Sequence, residues 1–139
     1  MVFNREISFS SSKRSCWVDI TAHVQKIVLS SSIKDGLCMI HSLHTTGGLT
    51  LNENADPDVQ RDFFYKIDKL VDRDPNFRHA EGNSDSHLKT SLVGLSVSVP
   101  VKSGNLVLGT WQSVYFCEFD GPRNRRAMVT VLGDSGEGK

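Results

Sequence analysis

The chain is short of cysteine. Cys16, Cys38 and Cys117 are far apart, odd in number and form no C-x-x-C pair, which argues against a disulfide framework and against a thiolate zinc site. Each lies among apolar neighbours, where a free thiol packs as a small hydrophobe. Excess charge is also missing, since 16 basic residues balance 16 acidic ones. No global field then draws nucleic acid or an anionic membrane, and any anion site must be local. No apolar run approaches the ~18 residues of a membrane helix, and no charged-then-apolar leader opens the chain. The expectation is a cytoplasmic protein with neither nucleic acid nor membrane as partner. Internal repeats, linkers and low-complexity segments are absent, as are the G-x-S-x-G elbow of serine hydrolases and the short H-x-x-x-H metal signature.

What is present fits one domain of 139 residues, with 133–139 as a polar tail. Residues 2–9 and 13–20 are rich in β-formers around a serine turn and predict a hairpin. Thr21 is a plausible N-cap for a helix over 22–30, with Val24, Ile27 and Val28 on one face. Residues 37–43 form an apolar run of strand length, which predicts a central strand buried on both faces. A short strand follows at 49–51. Asp56, Pro57 and Asp58 then give a strong helix start, and the stripe of Val59, Phe63, Ile67 and Leu70 predicts a helix to about Val71 that packs on a sheet. Asn83 or Ser84 can cap a third helix with Leu88, Leu92 and Val93 as its buried face, stopped by Gly94. Strands at 96–101, 106–108, 114–119 and 126–132 complete the pattern. The order predicts an α+β fold, mostly an antiparallel sheet or sandwich with two or three helices.

The stretch from His79 to His87 carries two histidines, two carboxylates, an amide and two hydroxyls in nine residues. Upstream, His44-Thr45-Thr46-Gly47-Gly48 sets an imidazole and two hydroxyls before glycines that permit close backbone approach by a ligand. His44, His79, Asp85 and His87 are the right ligand types for zinc, and a histidine or Asp85 equally suits proton transfer. Asp85 also suits the first turn of the third helix without any site role. His41 and Glu53 are lesser candidates, His41 reading first as a core residue. Downstream, Trp111 offers a stacking surface and Gln112 a donor/acceptor pair, though Trp111 equally suits a core. Arg123, Arg125 and Arg126 carry planar forks for phosphate, although such a cluster at a strand start is usually solvated.

Taken in order, these segments resemble the YjbQ family of small proteins, some of them assigned a thiamine-phosphate synthase activity. The resemblance runs from His44-Thr45-Thr46 through Asn52-Glu53-Asn54-Ala55-Asp56-Pro57-Asp58. It continues with Arg78-His79, Glu81-Gly82-Asn83-Ser84-Asp85 and His87-Leu88-Lys89, and ends with Gly109-Thr110-Trp111-Gln112 and Glu118-Phe119-Asp120-Gly121-Pro122-Arg123. It implies an α+β homotrimer acting on a phosphorylated small molecule, with a histidine-rich pocket able to hold zinc on His44, His79 and His87. It also implies Mg²⁺ on a diphosphate substrate. Asp85, His87 and His44 would be catalytic, and Thr45, Thr46, Asn83, Trp111, Gln112 and Arg123 would bind substrate. A zinc-dependent hydrolase of a phosphorylated or acyl compound, or a non-catalytic metabolite-binding trimer, are the alternatives. Gly47-Gly48 stands where relatives commonly carry alanine or serine.

Overall fold

In the computed structural model, which describes residues 1–136, eight strands and three helices alternate along the chain. They are β1 (Val2–Ser10), β2 (Cys16–Asp19), α1 (Thr21–Ser31), β3 (Asp35–Ser42), β4 (Gly47–Glu53), α2 (Pro57–Leu70), α3 (Ser84–Val93), β5 (Ser96–Lys102), β6 (Asn105–Leu106), β7 (Gln112–Glu118) and β8 (Asn124–Asp134). Every pairing is antiparallel. The strands form a five-stranded sheet ordered β1-β8-β3-β5-β6 and a three-stranded sheet ordered β2-β7-β4, a single α+β domain as the pattern predicts.

The inner faces of the two sheets meet in one core. Cys38, Ile40, Val99, Val129 and Val131 come from the larger sheet, Leu49, Val114 and Phe116 from the smaller, and α1 adds Val24 and Val28. On the other face of the small sheet, Trp17, Tyr115, Cys117 and Phe119 pack against Val59, Phe63 and Ile67 of the stripe expected on α2 and against Phe64 beside it. Leu70 alone leaves that stripe, at 69 % exposed. Asp56 caps α2 as expected, its Oδ1 accepting from the Asp58 amide at 2.9 Å.

Several expectations are corrected. Residues 2–20 make no hairpin: β1 pairs with β8 and β2 with β7. Ser11, whose amide donates to the Arg123 carbonyl at 2.9 Å, carries the chain between sheets. The strand buried on both faces is β7, held between the core and α2. β3 is buried on one face only, leaving Leu37 and Met39 each 38 % exposed on a sheet face that none of the described elements covers. Thr21 is not a cap; the helix begins at Thr21 itself, and its Oγ1 accepts from the Val114 amide at 2.8 Å. The strand at 49–51 starts earlier, because Gly47 and Gly48 pair with Glu118 and Cys117. A Cβ on Gly47 would run into the buried Phe116 ring, and one on Gly48 into the Gly94 carbonyl, so these glycines admit close packing. The strand at 106–108 stops at Leu106. Gly133 and Asp134, placed in the polar tail, continue β8, and the end of that tail lies outside the described residues.

α3 is turned over relative to expectation. Its buried residues are Asp85, Ser86, Lys89 and Thr90, while Leu88 and Leu92 are 45 % and 68 % exposed and only Val93 of the expected face packs inward, against the cluster under α2. The polar face can be buried because three of these four side chains find partners, as when Ser86 Oγ donates to the Phe119 carbonyl at 2.6 Å and Lys89 Nζ to Asp68 Oδ1 at 2.7 Å; only the Thr90 hydroxyl has none among the described residues. Gly94 ends the helix at φ 101°, as predicted. Among the described residues, no helix is long and apolar enough to cross a membrane.

Candidate functional site

The segment joining β3 to β4 is shaped by Ser42. Its hydroxyl donates to the Gly47 carbonyl at 2.7 Å and accepts from the His44 amide at 3.2 Å, closing a loop that presents His44, Thr45 and Thr46. Behind the loop, Arg125 donates through Nη2 to Thr46 Oγ1 at 2.9 Å and through Nε to Glu118 Oε1 at 2.8 Å. Glu118 also bonds Arg125 Nη2 and Ser11 Oγ, and accepts from the amides of Phe119 and Asp120 at 3.1 Å. Both members of this ion pair are buried, Glu118 at 0 % and Arg125 at 3 % exposed. An ion pair so desolvated is tolerable only when it gathers further hydrogen bonds, and here both Glu118 oxygens and Nε and Nη2 of Arg125 are bonded.

The turn after β7 brings Asp120 and Arg123 to the same place. Arg123 Nη2 meets Asp120 Oδ2 at 3.0 Å, and Asn83 Nδ2 donates to the same oxygen at 2.8 Å. Asn83 therefore makes no side-chain cap to α3 but ties its start to this turn. These groups, with His79 and His87, enclose a cavity of about 380 Å³. The two imidazoles stand perpendicular, 5.2 Å apart.

His44 reaches the cavity wall with its chemistry already set. Its Nε2 accepts from the Arg126 amide at 2.8 Å, and a ring nitrogen that accepts a proton carries none, so the neutral ring bears its hydrogen on Nδ1. Burial lowers its pKa, and Arg125 and Arg126 lower it further against an opposing pull from Glu118. Near pH 7 His44 is thus a neutral hydrogen-bond donor, not a general base. The same bond bears on zinc. With Nε2 of His44 spent, the three histidines do not converge, and among the described residues no group of three or more His, Cys, Asp or Glu side chains is placed to hold a metal ion. The residues present in one chain do not fit the zinc centre that their types suggested.

Of the residues singled out from sequence, His44, Thr45, Thr46, His79, Asn83, His87 and Arg123 line this one cavity. Asp85 does not. Its carboxylate turns to the other side of α3, 3.3 Å from both Lys89 Nζ and Arg14 Nη2. Burial pushes its pKa up, but Lys89 and then Arg14 outweigh this and hold it below the usual carboxylate range; here it anchors the helix. Trp111 and Gln112 also lie apart. The β4–β7 ladder runs from Gly47↔Glu118 beside the cavity to Glu53↔Gln112 at its far end, roughly 20 Å away at ~3.3 Å per residue. There Gln112 Oε1 accepts from the Gly109 amide at 2.8 Å and Trp111 is 60 % exposed. Glu53 shares that far end, and His41 lies on the open sheet face with Nδ1 2.6 Å from Ser96 Oγ.

Asp120 and Glu118 were missed from the sequence. Glu118 shares the core face of β7 with Phe116 by simple alternation, and an acid on such a face has to find a cation across the fold. Arg125, grouped with two exposed neighbours as a solvated cluster, is that cation. The thiols are inert as expected: Cys16 is buried, and burial pushes Cys38 and Cys117 up to about 12.

The chain resembles known proteins along nearly its whole length. The family model described as UPF0047 protein YjbQ-like matches residues 5–134. The UPF0047 protein of Methanocaldococcus jannaschii is 46 % identical over 134 residues, 96 % of either chain. YugU of Bacillus subtilis is 42 % identical, covering 93 % of this chain and 98 % of its own. Among solved structures, a yjbq/upf0047 family protein of Clostridium acetobutylicum superposes with a TM-score of 0.89 at 44 % identity, covering 92 % of this chain and 99 % of the other. A protein of unknown function from Sulfolobus solfataricus gives 0.91 at 34 %, covering 96 % and 99 %. With a model match this long and identities this high over full-length relatives, the chain belongs to the YjbQ-like UPF0047 family.

Proposed function

We propose that the protein is a thiamine-phosphate synthase-like enzyme, condensing a hydroxymethylpyrimidine diphosphate with a thiazole phosphate and releasing pyrophosphate. The family resemblance suggests the reaction. The observation that carries it here is the arginine-edged cavity of about 380 Å³ in which seven of the residues picked from sequence meet. The C–O bond to the diphosphate breaks with its electron pair leaving on pyrophosphate. The thiazole nitrogen lone pair forms the new C–N bond, which makes the ring cationic, and no proton need move. Such chemistry asks the protein to position both substrates and to neutralise the leaving group.

Arg123, its side chain 52 % exposed at the cavity edge, suits the diphosphate, and neutral His44 supplies a donor from Nδ1. Arg123 and Arg125 are each matched by an acid. The cavity therefore offers directed N–H groups without surplus positive charge, and Mg²⁺ arriving with the substrate would meet the balance of the diphosphate charge. A zinc-dependent hydrolase finds less support, because its reading requires three ligands around one ion. The homotrimer implied by the resemblance is also proposed, supported by the uncovered face of the large sheet and by the exposed leucines of α3.

The test is incubation of purified protein with both substrates and Mg²⁺, following thiamine phosphate and pyrophosphate. The expected outcome is equal amounts of each, with turnover reduced about a hundredfold in Arg123→Ala, the order lost when one directed charge-stabilising donor is removed, and also reduced in His87→Ala. Absence of product, or product unchanged in both variants, rejects the reaction. Saturable substrate binding without turnover would favour the metabolite-binding alternative.

A further inference from the structure

A second cavity, of about 390 Å³, shares one lining residue with the first, His79. Either volume falls in the range of about 300–1,000 Å³ that small-molecule pockets occupy. The second is framed by the segment joining α2 to α3, with Arg73, Pro75 and Phe77 on one side and Gly82 and Ser84 on the other. Gly82, at φ 73°, has nothing within 4 Å of where a Cβ would stand, so the backbone turns there without filling the space.

The chemistry of this lining is unevenly committed. Its two acids are engaged: Asp74 Oδ1 accepts from the Asn76 amide at 2.8 Å, and Asp85 is held by Arg14 and Lys89. Its arginine is not, for Arg73 makes no ion pair among the described residues. Phe77 stays 38 % exposed instead of joining either apolar cluster. A free guanidinium beside an open aromatic face selects a ligand with an anionic group and a flat ring.

We infer that the second cavity is the subsite for the second substrate, a monophosphorylated flat heterocycle, with its phosphate on Arg73 and its ring against Phe77. This rests on the two-substrate reading above. Two reactants that form a bond must come within ~3–3.5 Å, so their subsites have to neighbour each other, and these two cavities share His79 as a lining residue. The diphosphate substrate keeps the cavity edged by Arg123, and the reacting nitrogen approaches from the Phe77 side.

The experiment is calorimetric titration of the full chain with thiazole phosphate, alone and in saturating pyrophosphate and Mg²⁺. It is repeated on Arg73→Ala, Phe77→Ala and Arg123→Ala. Arg73 and Phe77 both lie outside helices and strands, and circular dichroism checks that each variant stays folded. Thiazole phosphate is expected to bind with pyrophosphate already in place. Arg73→Ala and Phe77→Ala should each weaken it about fivefold while moving pyrophosphate affinity less than about twofold, and Arg123→Ala should show the reverse pattern. Displacement of one ligand by the other, thiazole phosphate affinity indifferent to Arg73 and Phe77, or no binding of it at all, overturns the subsite. If the subsite pattern is found but no condensation product forms, the reaction falls and the subsite stands. If product forms while Arg73 and Phe77 are without effect, the reaction stands and the subsite falls.

Discussion

Glu118 has no accessible surface, yet its carboxylate draws bonds from Ser11, Nε and Nη2 of Arg125 and the amides of Phe119 and Asp120. Through these it fixes the turn that bears Arg123 and, by way of Arg125, the Thr46 side of the cavity. Removing one partner of a buried pair costs more than removing both, because the survivor is left charged without a counter-ion. Glu118→Ala is therefore expected to lower unfolding free energy by about 3–5 kcal/mol in urea. The double variant Glu118→Met with Arg125→Met should recover much of that loss. A double variant no more stable than Glu118→Ala would mean that lost packing, and not the stranded guanidinium, sets the cost.

α3 is held by charge where most amphipathic helices are held by leucines. Asp85, Lys89 and Asp68 form a line from α3 to α2, and Arg14 joins it from the segment before β2. Because this network lowers the Asp85 pKa, the sign of its pH effect follows. The folded state binds the proton less readily than the unfolded chain, so the stabilisation is complete above the unfolded value of about 3.9 and is lost as pH falls through the folded one. Asp85→Asn should cost about 3 kcal/mol at pH 7. Below about pH 4 the gap to the parent should narrow by up to ~1.4 kcal/mol per pH unit. Urea midpoints measured from pH 7 to pH 3 check this, and a gap that does not narrow on acidification would exclude an ionised Asp85 as its source.

For the whole molecule, the open surface is the informative one. Leu37 and Met39 on β3 and Leu132 on β8 share the uncovered face of the large sheet, the last at 45 % exposed. A contiguous apolar patch on a sheet face is uncommon on a protein that stays monomeric. The proposed homotrimer would cover it. Light scattering after gel filtration should then give three chains per particle for the parent and one for Leu37→Asp with Met39→Asp. A parent that runs as a monomer, or a double variant that stays trimeric, removes this face as the interface.

Much of this was legible in the residues themselves. The α+β class, the cap at Asp56, the stripe on α2 and the stop at Gly94 each depend on groups a few positions apart, and local chemistry decides such features. Six of the candidates that line the first cavity were legible as well, because imidazoles, hydroxyls and an amide crowd two short stretches; Arg123 comes from a third. What needed the folded chain was every choice of partner across the sequence. Alternation could set residues 2–9 and 13–20 as strands but could not say that each would leave the other for β8 and β7. Nor could it say that Asp85 would turn away from the cavity while Arg125, held by Glu118, joined its lining, or that α3 would bury its polar face. The reason is physical: burying a charge or a polar face is unfavourable by itself and becomes favourable only against a particular partner, and here those partners stand as far off as Arg14 from Asp85 and Thr46 from Arg125.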